Sequence, residues 1–363
     1  MTPWAKVLRK SMEKSTPWVM VLIGVTFMVG GGLASAMSPP PVVLTVYSYD
    51  SFLGSSGLGP ALFSAFEKKT QGRIRIKGVS AGDSVQLLSR VKLDSVRKKQ
   101  GADLVLGIDQ QVWDRIRDFV DRADDDRWEP REIGRLKAHT RLERGFVPFD
   151  YGVFAWMLDT QNWEGGFKAA PTRWSGLLAS PYQRKLILQD PRTSAPGLGF
   201  LAFTHLVMGA QAEGFWRSFR PQLLTLPAGW DEAYGLFLKG EAPAVWSYTT
   251  SEAYHREQGE SQRYRAIVFE EGNPAQIEGA AVLRTVLNHP EKRKAAREFL
   301  DFLISDEAQA LVPLKNWMLP AREGVKLPKS FQDLAEPKKI VVPRLSGSEL
   351  DLLLQRWSKA IRS

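Results

Sequence analysis

Six aromatic rings and a run of hydroxyls crowd into residues 230–254, reading WDEAYGLFLKGEAPAVWSYTTSEAY. Trp and Tyr offer rigid, electron-rich faces that attract an organic cation, each well-placed ring contributing roughly 0.5 to 2 kcal/mol depending on desolvation. Thr249, Thr250 and Ser251 set short hydrogen-bonding groups beside them. The plainer alternative is a helix with a core stripe followed by a buried strand, and it suits Tyr234 and Phe237, three apart as core neighbours on a helix are. Trp230, Tyr248 and Tyr254 stand where a strand or loop meets a helix, the usual place of binding residues on an α/β scaffold, and read as ligand faces. Trp246 fits either role.

Two further segments could carry binding chemistry. In QDPRTSAPGLG, residues 189–199, Ser194 lies between an apolar strand and an apolar helix, where its hydroxyl either caps the helix or turns with the backbone N–H groups toward an anion. No G-x-S-x-G surrounds it, so it is not a nucleophile elbow. Asp83, between Gly82 and Ser84, sits at a strand-to-helix turn, as a helix cap or as a partner for a cation. Asp50 with Ser51 and Asp109 follow neighbouring strands at the same edge, so the three carboxylates suggest one acidic rim that would favour a cationic ligand. His139, His205, His255 and His289 are far apart and lack metal-ligand spacing, which argues against zinc. Tyr248 could serve ferric ion, but Thr249 and Thr250 are poor substitutes for the anionic oxygens iron wants. No P-loop or dinucleotide fingerprint is present.

The elements that must position these residues follow from patterning. Val42 to Tyr49 alternates and reads as a first strand; a helix around Leu62, Phe63 and Phe66 follows, then a strand from Arg73 to Val79, a helix from Ser84 to Lys99 and a short buried strand from Asp103 to Ile108. This is a βαβαβ opening of a doubly wound sheet. FVPFDYGVFAWML, LILQD, a helix from about Gly197 and AVWSYTT make a second α/β series, and a strand at 277–283 precedes a helix at 291–303. The late helices are expected to pack back on the first lobe, with hinges near 146–151 and 272–279. The expected division is residues 42–147 with 277–340 as lobe 1, residues 148–276 as lobe 2, and a C-terminal helix at 341–363.

With 363 residues the chain can bury two lobes, and 44% hydrophobic and 25% charged residues place it among ordinary globular proteins rather than disordered or polytopic ones. Lys6, Arg9, Lys10 and Lys14 precede an uncharged stretch from Trp18 to Ala34, and Ala34-Ser35-Ala36 offers a small-residue cleavage site. This reads as an export signal over 1–36, cut after Ala36; an uncleaved anchor is the competing possibility. The absence of cysteine removes disulfides, thiolate metal sites, a lipidated N-terminus and a cysteine nucleophile. The net charge of +9 is scattered rather than interleaved with aromatics, so no nucleic-acid partner is expected.

Seven segments in order, LTVYSYDSF, GDSVQLL, FVPFDYG, QDPRTSAPGLG, GWDEAYGLFLKGE, SYTTSEAYH and KNWMLP, resemble the thiamine-binding periplasmic proteins that serve ABC importers. The resemblance spans residues 43–357. It implies a bilobed, type II-like periplasmic binding protein of two doubly wound α/β lobes joined by crossover hinge strands. Such a protein closes around thiamine, thiamine monophosphate or thiamine diphosphate and hands it to an inner-membrane ABC permease. It needs no cofactor and no metal, and is expected in the periplasm as a monomer. Ligand contacts carry over onto Tyr49, Asp83, Ser84, Ser194, Ala195, Trp230, Tyr248, Thr249, Thr250, Ser251, Tyr254 and Trp317. Two departures stand out: Ala195 replaces the usual hydroxyl after Ser194, at a loss of about one hydrogen bond or roughly 0.5 to 1.5 kcal/mol, and LGSSG near Ser56 lacks the usual Trp. Thiamine-cleaving enzymes share this fold but use a cysteine nucleophile, so no enzymatic activity is expected. Two rival readings compete with thiamine transport: a same-fold carrier of another organic cation or ferric ion, and an anchored sensory module.

Overall fold

The computed structural model describes residues 39–97, 101–121, 128–260 and 262–362. The export signal read over residues 1–36 lies outside them. Eleven strands are present among the described residues: β1 (Val42–Ser48), β2 (Ile74–Ser80), β3 (Leu104–Asp109), β4 (Val147–Asp159), β5 (Leu186–Ile187), β6 (Leu223–Thr225), β7 (Ala244–Tyr248), β8 (Tyr264–Ile267), β9 (Asn273–Val282), β10 (Leu319–Pro320) and β11 (Ile340–Val341). The opening is the expected parallel unit, with β1 between β2 and β3. Every residue of β3 is buried, as a parallel strand covered by helices on both faces must be.

β4 and β9 join the two lobes. The first half of β4, from Val147 to Val153, pairs antiparallel with β9, whose far edge meets β3. The second half, from Phe154 to Leu158, leaves β9 for β7, which continues in parallel to β5 and then β6. One long strand thus belongs to both lobes, and the fold is the bilobed α/β arrangement. β9 begins at Asn273 rather than near Ile277, because Asn273 and Pro274 pair with β11.

Each lobe is held by aromatic packing. In the first, Phe66 meets Phe299 edge-on at 5.1 Å and Phe302 at 5.4 Å, so the helices Leu58–Lys69 and Pro290–Leu303 close over one face of the sheet. In the second, Trp174, Phe200 and Trp246 form a cluster with centroids 5.5–5.7 Å apart. Such pairs contribute about 0.5 to 1.5 kcal/mol each beyond their buried area. The last helix, Gly347–Ala360, departs from expectation. Leu350, Leu353 and Trp357 are buried, and the helix packs on Ala195–Met208 and Ala212–Phe219 of the second lobe. It is also tied to the first lobe, where Gly347 donates to Asp114 at 2.7 Å and Gln111 to the Pro343 carbonyl at 2.9 Å. The segment therefore touches both lobes, whereas Pro290–Leu303 returns to the first alone.

Candidate ligand site

The lobes meet at Asp83. Gly82, at φ +84°, lets the chain turn from β2 into the helix Ser84–Val96, and a side chain at Gly82 would overlap Gln86, which closes a capping box with Asp83. The Asp83 carboxylate accepts from its own helix at Ser84 N (2.6 Å). It also crosses to the second lobe, accepting from Ser194 Oγ at 2.9 Å, from Ala195 N at 3.0 Å and from the Trp230 N–H. Three helix N-termini converge on one carboxylate, and their N–H groups favour its charge. Burial still pushes its pKa above the ordinary aspartate value. Ser51 makes a second crossing, donating to Asp231.

Beneath this contact lies a floor of acids on the crossover strands. Asp150 and Glu278 face each other in register across β4 and β9. Tyr49 Oη donates to Glu278 at 2.8 Å, and Asn316 Nδ2 donates to Tyr49 Oη at 2.9 Å and to Asp150 at 2.7 Å. Asp150 Oδ1 is buried with no donor among the described residues. It lies across from Glu278, and burial together with the Glu278 charge holds Asp150 well above the aspartate range. Gln276 donates to both Glu278 and Asp109 at 3.3 Å and accepts from the Tyr248 hydroxyl. Burial raises Glu278 and Asp109 to about 7 each. Among the described residues, no Lys, Arg or His forms an ion pair with Asp83, Asp109, Asp150 or Glu278.

Tyr49 and Tyr248 join this floor, and further ring pairs stand on neighbouring elements. Tyr49 lies over Gly107, where φ is +83° and an added Cβ would sit 2.2 Å from the ring. Tyr248 stacks on Phe154 at 4.8 Å, Trp230 on Tyr234 at 4.6 Å, and Tyr254 meets Trp317 edge-on at 5.2 Å. Trp317 holds a left-handed backbone at φ +55°, a conformation costing a non-glycine residue roughly 1 to 2 kcal/mol. It allows Asn316 to reach Tyr49 and Asp150 while Trp317 reaches Tyr254, and such strain collects at functional sites.

The profile of the bacterial extracellular solute-binding protein family matches residues 128–343. The thiamine-binding periplasmic protein of Brucella abortus biovar 1 (strain 9-941) is 38% identical over 322 residues, which cover 87% of this chain and 91% of that protein. That of Salmonella typhimurium (strain LT2) is 36% identical over 335 residues, 90% and 95% of the two chains. A solved periplasmic thiamin binding protein is similar at a TM-score of 0.76 and 34% identity, over 91% of this chain and 99% of that one. The chain belongs to the thiamine-binding periplasmic proteins, within the bacterial extracellular solute-binding proteins. Membership brings a periplasmic location, and no helix among the described residues is long and apolar enough to cross a membrane.

Within this member of the thiamine-binding periplasmic proteins, the expected site residues fall into connected groups. Asp83, Ser84, Ser194, Ala195 and the Trp230 backbone form the crossing, and Tyr49 and Tyr248 join the acidic floor. Ser251 shares a hydrogen bond with Ser247, Thr249 N donates to Val153 O at 2.8 Å, and Thr250 Oγ1 is buried with no partner among the described residues. One expectation changes and two open readings close. Ser194 does not cap its helix through its side chain, because its hydroxyl is taken by Asp83. Asp109 is not on an open rim: it is 1% exposed and caps the helix Gln110–Ile116 through Gln111 N and Val112 N, while Asp50 stays exposed. Trp246 is core, its indole donating to Pro196 O at 2.9 Å, and Tyr234 and Phe237 pack as expected. Asp150, Gln276, Glu278 and Asn316 were not singled out by sequence. The available signal was a charge inside an otherwise apolar strand, in FVPFDYG and in QIEGAAV.

Proposed function

We propose that this chain captures thiamine, or a thiamine phosphate, in the cleft between its lobes and delivers it to an ABC permease without chemical change. The observation that carries the reading is the buried acidic floor, without a cationic partner among the described residues and joined by the rings of Tyr49 and Tyr248. A permanently charged thiazolium supplies the missing countercharge and can lie against aromatic faces, and the aminopyrimidine can stack and accept or donate hydrogen bonds. The names of the relatives above point to the same ligand. Polyamines would need carboxylates spread along a groove, and ferric ion would need several exposed anionic oxygens. For a phosphate tail, the donors at Ser194, Ala195 and Trp230 are those that Asp83 engages, so such a ligand must take them from Asp83. The leader over residues 1–36 would deliver the chain to the periplasm, and it would act there as a monomer. Calorimetric titration with thiamine, its monophosphate and its diphosphate tests the assignment. Saturable binding of at least one, lost or weakened at least about tenfold in Trp230→Ala, is expected; no binding by the intact chain overturns it.

A further inference from the structure

Behind Trp230 runs a continuous hydrogen-bonded chain. Trp230 Nε1 donates to Ser247 Oγ at 2.9 Å, Ser247 and Ser251 share a bond of 2.8 Å, and Ser251 is bonded in turn to the Tyr234 hydroxyl. Tyr234 Oη lies 2.9 Å from His255 Nε2, and His255 Nδ1 lies 3.0 Å from Glu260 Oε2. Chemistry at the two ends assigns its direction. An indole N–H can only donate, and an ionised carboxylate can only accept. With Nδ1–H donated to Glu260, His255 Nε2 is left as an acceptor, which requires Tyr234 to donate to it. Tyr234 then accepts from Ser251, and Ser251 from Ser247. Every hydroxyl in the chain gives one bond and receives one, from the indole to the carboxylate.

We propose that His255 is a positioning residue for ligand binding, which fixes the plane of Trp230 through Tyr234, Ser251 and Ser247. The proposal rests on Trp230 being a ligand face. His255 is fully buried, so its ring cannot turn to water, and it stacks on Tyr264 at 3.8 Å. It also meets Tyr254 edge-on at 5.1 Å, so one imidazole backs Tyr254 directly and Trp230 through the chain. Sequence spacing builds the device: Tyr234 follows Trp230 by four, stacking on it along one helix face, and Ser247, Ser251 and His255 follow one another by four.

The groups facing His255 are Tyr234 from the helix Trp230–Leu238, Tyr254 from its own helix, Glu260 beyond it, Arg263 and Tyr264 at β8, and Asp159 from β4. Burial lowers its pKa, and Glu260 opposes that shift. A second ring proton would occupy Nε2 and force the hydroxyls to reverse. Ser247 would then receive from both Trp230 and Ser251 and have no acceptor within the chain for its own hydrogen.

The test combines thiamine titration with the indole N–H resonance of Trp230, assigned by its disappearance in Trp230→Phe. Tyr234→Phe keeps the ring stacked under Trp230 but cuts the chain, and His255→Leu cuts it one link later. Both should move the indole resonance and weaken thiamine binding about three- to tenfold, the scale of one lost hydrogen bond, with Tyr234→Phe still melting cooperatively. His255→Gln, able to accept from Tyr234 and donate to Glu260, should restore both readouts. An unmoved resonance with unchanged affinity in Tyr234→Phe overturns the positioning role and leaves the ligand assignment intact. Full thiamine affinity in Trp230→Ala overturns it by another route, since the ring would then not be a ligand face.

Discussion

At the end of β3 and on the crossover strands β4 and β9, Asp109, Asp150 and Glu278 are buried without a cation among the described residues, whereas behind Trp230 the polar groups pass one directed set of hydrogen bonds to a partly exposed carboxylate. Both regions belong to the proposed ligand site and both bury polar atoms. The wall is electrically complete, so it can hold rings rigidly at little cost to stability. The floor is incomplete: its charges are unfavourable until a cation arrives. A binding protein that must close on a cation gains from this division, because interactions left unsatisfied in the free protein favour the ligand-bound state, and interactions already satisfied keep the site ordered.

The comparison can be broken most sharply through pH. Glu278 and Asp109 rise from ordinary values of 4.5 and 3.8 to about 7 in the folded chain. The folded state therefore holds protons that the unfolded state has released, and the stability they contribute is full below about pH 4 and is lost as pH climbs to 7. Each group corresponds to a change on the order of 3 kcal/mol. Thermal melts of the free protein should fall between pH 4.5 and 7.5, and most of the Glu278 share should vanish in Glu278→Gln. An equal slope in that variant would show that the floor is not the strained region.

The next effect is on binding. A cation about 5 Å from Glu278 gains roughly 3 kcal/mol at an effective dielectric constant of 20. Glu278→Gln should thus stabilise the free protein at pH 8 and weaken thiamine on the order of a hundredfold, and wild-type affinity should decline as pH falls below 7. Greater stability with unchanged affinity would separate the floor from ligand recognition. The smallest effect belongs to the contact between lobes. Ser194→Ala removes one of several donors to Asp83, and calorimetry should show a loss of about 0.5 to 1.5 kcal/mol in thiamine binding. A loss as large as that of Glu278→Gln would move the centre of recognition from the floor to the crossing.

Much of this was legible without coordinates. Alternation in Val42–Ser48 and the unbroken apolar run of β3 declare a parallel opening, because strands covered on one face or both differ in period. The aromatic and hydroxyl residues of 230–254 announced a wall of rings and hydroxyls, and position at a strand-to-helix turn separated Trp230 from the core ring Phe237. The division within the wall was harder. Trp246 alternates with Val245 and Ser247 on β7, all three are buried, and only the packing of Phe154, Trp174 and Phe200 shows that the Trp246 ring is enclosed by core.

By itself the sequence determined the two α/β series, the turns that carry Asp83, Ser194 and Thr249–Ser251, and the supply of rings, since these depend on local period, capping and composition. Tertiary structure alone decided that Asp150 and Glu278 face each other, that Asp83 occupies three helix starts rather than one, and that His255 stands against both Tyr234 and Tyr254. Asp150 and Glu278 are 128 positions apart and Asp83 and Ser194 are 111 apart. Register between distant strands and the meeting of two lobes set those distances, and neither leaves a periodic trace along the chain.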